Sequence, residues 1–217
     1  MRTRIKICGI KDPDAAFAAA DAGADAVGFI FVPGSPRFIE PDEAAGIMLA
    51  LPPLLHAVAV VRDLSVDEFC ELEQMCPTTL TQLHGRETED TVRACGPGVI
   101  KAFSYDDATI ASQLARWGSV EEVDAVLIDS GQGGTGHALP WDELARHLDH
   151  ARDAGFDKPV FLAGGLTPDN VAGAVRLVRP YAVDVSSGVE SAPGAKDQAK
   201  IAAFCAAVRD ADREQRD

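Results

Sequence analysis

The sequence has no C-x-x-C pair, and its five cysteines, Cys8, Cys70, Cys76, Cys95 and Cys205, are scattered and odd in number. That pattern fits neither a zinc site nor a secreted disulfide framework. Positive charge is also scarce: 20 lysines and arginines stand against 34 aspartates and glutamates, a formal net charge of −14. Such a surface repels phosphate backbones and anionic lipid at long range. It argues against nucleic-acid and membrane partners and leaves room for a local pocket that takes a small anion. No apolar run approaches the roughly 20 residues of a membrane span. Met1-Arg2-Thr3-Arg4 leads straight into a strand-like segment, not a signal-peptide core, so a cytoplasmic protein is expected. No linker or low-complexity tract interrupts the 217 residues. At 47% hydrophobic and 25% charged residues the composition is that of a globular domain, and a single unit of this size buries about 70% of its unfolded surface. One domain over residues 1–217 is expected.

What is present is a steady alternation. Short apolar, β-rich runs occur at Arg4–Cys8, Ala26–Phe31, His56–Val61, Leu80–Leu83, Val99–Phe103, Ala125–Ile128, Val160–Ala163 and Ala182–Ser186. Several are continuously apolar, as parallel strands covered on both faces are. Helix punctuation lies between them. Asp12-Pro13 supplies an N-cap and a first-turn proline with Gly23 to end the helix, Ser65 and Glu68 have capping-box spacing, and Thr167-Pro168 opens a helix after a strand. Further helices are predicted over Asp42–Leu51, Glu87–Ala94, Asp107–Trp117, Trp141–Ala154 and Lys196–Asp210. Eight strand–helix units are the number that closes a (β/α)8 TIM barrel, and parallel returns require crossovers. An open doubly wound sheet is the competitor. It would be favoured by Gly-x-Gly-x-x-Gly after the first strand, where Cys8-Gly9-Ile10-Lys11 has one glycine.

In a barrel of this kind the C-terminal strand ends face the active site, so reactive residues there become candidates. The glycine loops Gly164-Gly165 and Ser186-Ser187-Gly188, after the seventh and eighth strands, can bring backbone N–H groups up to a phosphate. Tight turns alone would also account for their glycines. Cys8 at the end of the first strand is either an inert buried thiol or, with a lowered pKa, a base or nucleophile. Asp129, capping the apolar sixth strand, is costly to bury and is therefore paired or functional. The Gly131–Gly136 run after it reads as a flap over the pocket or as a long turn. Arg37, in the proline-stiffened Pro33-Gly34-Ser35-Pro36 loop, could clamp a carboxylate or lie solvated. His84 could serve the pocket or the structure. His56, His137, His147 and His150 give no metal-ligand pattern, and the His147–His150 spacing reads as a solvated helix face.

Taken together, Lys6-Ile7-Cys8-Gly9-Ile10, Ala26-Val27-Gly28-Phe29-Ile30-Phe31 with Ser35-Pro36-Arg37, Gln82-Leu83-His84-Gly85, and Leu127-Ile128-Asp129 with Gly133-Gly134-Thr135-Gly136 resemble phosphoribosylanthranilate isomerases. The resemblance continues through Leu162–Val171 and Val183–Glu190 to Pro193-Gly194 and Lys196-Asp197. It implies an enzyme of tryptophan biosynthesis that rearranges N-(5'-phosphoribosyl)anthranilate, a phosphosugar carrying an anthranilate group, without metal or organic cofactor. It implies Asp129 as general acid and Cys8 as general base, and a phosphate held by Gly164, Gly165, Ser186, Ser187 and Gly188. Arg37 is implied to hold the anthranilate carboxylate, with His84 and Asp184 lining the pocket; strand alternation points Asp184 and Ser186 to one side. Two positions depart from the family pattern: Lys11 replaces a common threonine, and Val61-Arg62-Asp63 replaces an aromatic residue and an asparagine. Related readings are an aminoaldose isomerase of histidine synthesis, a phosphate-binding barrel without chemistry, and a flavin-binding barrel. Monomer and homodimer are both compatible with the sequence.

Overall fold

A computed structural model describes residues 2–130 and 139–215. The first half runs β1 (Arg4–Cys8), α1 (Pro13–Asp21), β2 (Ala26–Ile30), α2 (Pro41–Ala50), β3 (His56–Val61), α3 (Val66–Met75), β4 (Leu80–Leu83) and α4 (Glu89–Cys95). The second runs β5 (Val99–Ser104), α5 (Ile110–Gly118), β6 (Val123–Asp129), α6 (Trp141–Asp153), β7 (Val160–Leu162), α7 (Val171–Val178) and β8 (Ala182–Val185). A hairpin of β9 (Glu190–Ala192) and β10 (Ala195–Lys196) precedes α8 (Gln198–Glu214). Strands β1 to β8 close into a barrel in sequence order, with every neighbouring pair parallel. The expected (β/α)8 TIM barrel is the fold. Among the described residues, no helix is long and apolar enough to cross a membrane.

Alternation along each strand sorts the side chains into two layers. Ile5, Ile7, Val27, Phe29, Val126 and Ile128 turn outward into the core shared with the helices. Ala26, Val58, Ile100, Leu127, Phe161 and Ala182 turn inward and fill the barrel. The same period carries Lys6, Cys8, Gln82 and Asp184 inward as well, so the upper barrel is polar where the lower is apolar.

Two helix starts follow the predicted caps closely. The Asp12 carboxylate accepts from the Ala15 N–H, and Ser65 and Glu68 close a complete capping box. Four starts lie a few residues later than predicted, each for a local reason; at α7 a turn over Thr167–Asn170, bridged by the Asn170 side chain, delays the helix to Val171. Glu87 turns inward to an ion pair with Lys101, so Thr88 caps α4 instead. Around Asp106, whose carboxylate accepts from Ala108 N–H, a turn delays α5 to Ile110. Lys196 belongs to the hairpin, and Asp197 caps α8 by accepting from Lys200 N–H.

Leu127 is fully buried inside the barrel. Leu127→Ala is expected to cost about 2–5 kcal/mol through lost transfer energy and a residual cavity. Urea unfolding checks this: the midpoint should fall with little change in slope.

Candidate active site

At the C-terminal mouth of the barrel, a cavity of about 440 Å3 is lined by Cys8, Arg37, His84, Asp129, Gly164, Gly165, Asp184, Ser186 and Ser187. Nine of the ten site residues expected from the sequence therefore share one cavity. The tenth, Gly188, stands behind the wall. A Cβ there would collide with the Leu166 carbonyl, so this glycine lets the loops after β7 and β8 pack together. The Gly131–Gly136 run lies outside the described residues. A larger groove of about 930 Å3 lies between α5 and α6. It contains none of the residues at the strand ends, where the reactive groups converge.

Cys8 faces Gly28 across the β1–β2 ladder. A Cβ on Gly28 would sit 2.8 Å from Cys8 Sγ and 3.2 Å from Lys6 Cε, so glycine is what lets the thiol and the lysine stem share that space. Burial pushes the Cys8 thiol up from its ordinary pKa; Lys6 and Lys196 pull against that, and Asp184 adds to it. Lys6, paired with Asp184 across the β1–β8 ladder, donates to Asp184 Oδ1 at 2.8 Å and to Gln82 Oε1 at 2.9 Å.

Those bonds orient the next groups. An ammonium only donates, so the Gln82 oxygen must face Lys6 and its amide nitrogen must face away. That nitrogen lies 2.8 Å from His84 Nδ1 and donates to it. The neutral imidazole then carries its proton on Nε2, which is 3.8 Å from Asp129 Oδ2. Burial lowers the His84 pKa, more than the attraction of Asp129 and Asp184 raises it, and so favours that neutral ring. Ser130 Oγ donates to the other Asp129 oxygen at 3.3 Å.

The wall opposite is a charge cluster. Arg37 grips Glu190 through Nε at 2.7 Å and a terminal nitrogen at 2.8 Å, and Lys196 donates to Glu190 at 2.7 Å and to the Ser186 carbonyl at 3.0 Å. Burial alone would raise the Glu190 pKa; bonds from Arg37 and Lys196 outweigh it and hold the carboxyl below its ordinary range. Burial lowers the pKa of Lys196 in spite of that partner. Gly9, at φ +78°, leaves room for the Arg37 stem, since a Cβ would come within 2.8 Å of Arg37 Cδ. The glycine loop after β7 is pinned at its far end: Asn170 accepts from Thr167 N–H and donates to the Gly165 carbonyl, at 2.8 and 2.9 Å. Gly164 and Gly165 take φ values of +86° and +66°. A Cβ on Gly164 would also collide with the backbone of Ser130.

Sequence reasoning passed over Lys6, Gln82, Glu190 and Lys196 as site residues. The signal for the first two was the alternation that places Lys6 with Cys8 and Gln82 with His84 on one face. For Glu190 and Lys196 no local signal existed, because a hairpin folds them back over the mouth. At the two departures, Lys11 reaches the Pro36 carbonyl at 3.3 Å, and Arg62 lines the cavity while Asp63 accepts from Arg86 N–H.

Residues 5–207 match the family described as N-(5'phosphoribosyl)anthranilate (PRA) isomerase. The chain belongs to the phosphoribosylanthranilate isomerase family. As a member it is an isomerase. A curated N-(5'-phosphoribosyl)anthranilate isomerase from Magnetococcus marinus is 44% identical over 213 residues, 96% of each chain. The crystal structure of phosphoribosyl anthranilate isomerase from Thermus thermophilus superimposes with a TM-score of 0.84 at 36% identity, covering 96% of this chain and 99% of that one. A second phosphoribosyl anthranilate isomerase, in complex with reduced 1-(o-carboxyphenylamino)-1-deoxyribulose 5-phosphate, matches at a TM-score of 0.82 and 33% identity, with coverage of 96% and 99%.

Glu190→Ala leaves Arg37 and Lys196 without their shared carboxylate, and a loss of about 3–5 kcal/mol is expected at neutral pH. Because the folded pKa of Glu190 lies below its unfolded value, its contribution is full above the ordinary glutamate range and lost as pH falls through the folded pKa. Stability curves of wild type and variant should therefore converge only in acid, which urea unfolding across pH tests.

Proposed function

We propose that this protein converts N-(5'-phosphoribosyl)anthranilate to 1-(2-carboxyphenylamino)-1-deoxyribulose 5-phosphate in tryptophan biosynthesis, with Asp129 as general acid and Cys8 as general base. The observation that carries the reading is the convergence of an inward thiol from β1 and an inward carboxylate from β6 on one cavity beside two glycine-bearing loops. Membership of the isomerase family supports the substrate.

The chemistry is an internal redox exchange. Asp129 protonates the furanose ring oxygen, the C1'–O4' bond breaks, and the nitrogen lone pair forms an iminium at C1'. That iminium is an electron sink, so the C2' proton becomes acidic enough for the Cys8 thiolate to remove it. The C–H electrons form the C1'=C2' bond of an enolamine and quench the iminium. Loss of the O2' proton and protonation of C1' then give the ketone. C2' is oxidised and C1' reduced within one molecule, so the balance needs no external oxidant. Each positioned acid or base supplies about 10²–10⁴ in rate.

Binding follows the distribution of donors. Backbone N–H groups of Gly164, Gly165, Ser186, Ser187 and Gly188 hold the phosphate without adding charge. Arg37 serves the anthranilate carboxylate while Glu190 fixes its plane, and His84 and Asp184 line the sugar subsite. Arg62, at the departure after β3, adds a cation to the rim of the cavity.

Turnover is read by the loss of anthranilate fluorescence. Cys8→Ala and Asp129→Asn, both folded, should each lose about 10²–10⁴ in kcat. A folded wild type that binds the product analogue yet does not turn over the substrate would overturn the reading. The pH profile supplies an independent check. With the Cys8 thiol held above its ordinary range by burial, its thiolate is a minor form at neutral pH. The value of kcat/KM should climb with pH from neutral into the alkaline range, by about tenfold per unit. An alkaline limb that persists in Cys8→Ala would assign it to another group.

A further inference from the structure

Lys6 is 1% exposed, bonded to Gln82 and Asp184 of the cavity lining, and no step of the proposed reaction uses it. Filling a barrel with an ammonium is costly unless it is neutralised, and burying alkyl groups would be simpler. Its surroundings show what the charge faces. Two of its three N–H donors go to Asp184 and Gln82. Its stem and the Cys8 sulfur flank the same point above Gly28. Lys6 and Cys8 are two residues apart on one inward face, so their separation is fixed by the strand itself.

The charged groups that act on Cys8 come from four directions: Lys6 on its own strand, Asp184 from β8, Lys196 from β10 and Arg37 from the loop after β2. Arg37 and Lys196 are both engaged with Glu190. Three cations therefore stand against two carboxylates, and one positive charge is unmatched when Cys8 is a thiol. Ionising Cys8 completes the balance.

We propose that Lys6 is the positioning residue for the base: its ammonium, anchored by Asp184 and Gln82, supplies the fixed charge that stabilises the Cys8 thiolate in a buried site. The inference rests on the reading of Cys8 as general base. Lys6 transfers no proton and touches no reacting atom in this role. Asp184 has the opposite electrostatic effect on Cys8, and the anchor therefore sets how much of the lysine charge the sulfur receives.

The test is a titration of the Cys8 thiolate by ultraviolet difference absorbance against Cys8→Ala, in wild type, Lys6→Met and Asp184→Asn. Lys6→Met should raise the midpoint by at least about one unit, a tenfold loss of thiolate at neutral pH. Asp184→Asn should lower it. Opposite shifts are not produced by loosened packing, which would move both variants the same way. In turnover, Lys6→Met should lose kcat about tenfold or more at neutral pH, change KM by much less, and regain rate as pH rises. An unchanged Cys8 midpoint in folded Lys6→Met, or shifts of the same sign in both variants, overturns the proposal. Should Lys6→Met fail to fold, Asp184→Asn decides alone: a midpoint that stays or rises overturns it. Full activity in Cys8→Ala would overturn the general-base reading, whereas the two midpoint shifts would still decide whether Lys6 stabilises the thiolate.

Discussion

A lysine ammonium sealed inside a β-barrel must be matched by acceptors, and the rest of this site is arranged around that requirement. Lys6 takes one carboxylate oxygen from β8 and one amide oxygen from β4, so three strands are held to a common point. Because an ammonium can only donate, the Gln82 amide has one orientation, and His84 inherits one tautomer from it. A single buried charge thus dictates which proton His84 presents toward Asp129 on the far side of the cavity. The barrel interior changes from Ile100, Leu127 and Phe161 below to this polar layer above. The apolar filling below gives the polar groups a rigid base, and rigidity is what keeps short bonds from relaxing into solvent.

A second charge cluster closes the opposite wall by different means. Glu190, Arg37 and Lys196 come from the hairpin and from the loop after β2, regions that share no ladder with each other. Their contact is electrostatic and steric, and it depends on Gly9 leaving space for the arginine stem. The lysine of that cluster also holds the Ser186 carbonyl, so the Arg37–Glu190 pair and the loop after β8 are one mechanical unit. Strands position the Cys8 thiol and the Asp129 carboxylate, and loops position the charged and glycine-bearing wall opposite them.

Periodicity made the barrel legible. Eight apolar runs separated by capped helices matched the observed strands closely, because burial on both faces leaves a continuous apolar signature. Two of the helix starts that differ, at Glu87 and Lys196, share one reason: a charged side chain that suits the first turn of an exposed helix is instead drawn inward by a buried partner. Asp184 entered through the family resemblance, whereas cavity residues at strand ends, such as Cys8 and Asp129, could be found by position alone. Glu190 could not, since its partners are 153 residues away and six away across a hairpin that no local pattern announced. At Gly188 the absence of a side chain also lets the loops after β7 and β8 pack together at Leu166, a contact that no local pattern announced.

The barrel closes by pairing β1 with β8, and Thr3 is further tied to Asp212 on the last helix by two bonds of 2.7 and 2.8 Å. Lys6 therefore waits, during synthesis, for a carboxylate 178 positions later in the chain. A growing polypeptide that has already made the thiol, the arginine and the acid still lacks Asp184, Ser186 and Glu190. The full cavity lining exists only once the chain has been made as far as Ser187, so the buried thiol and its charged surroundings come into being together.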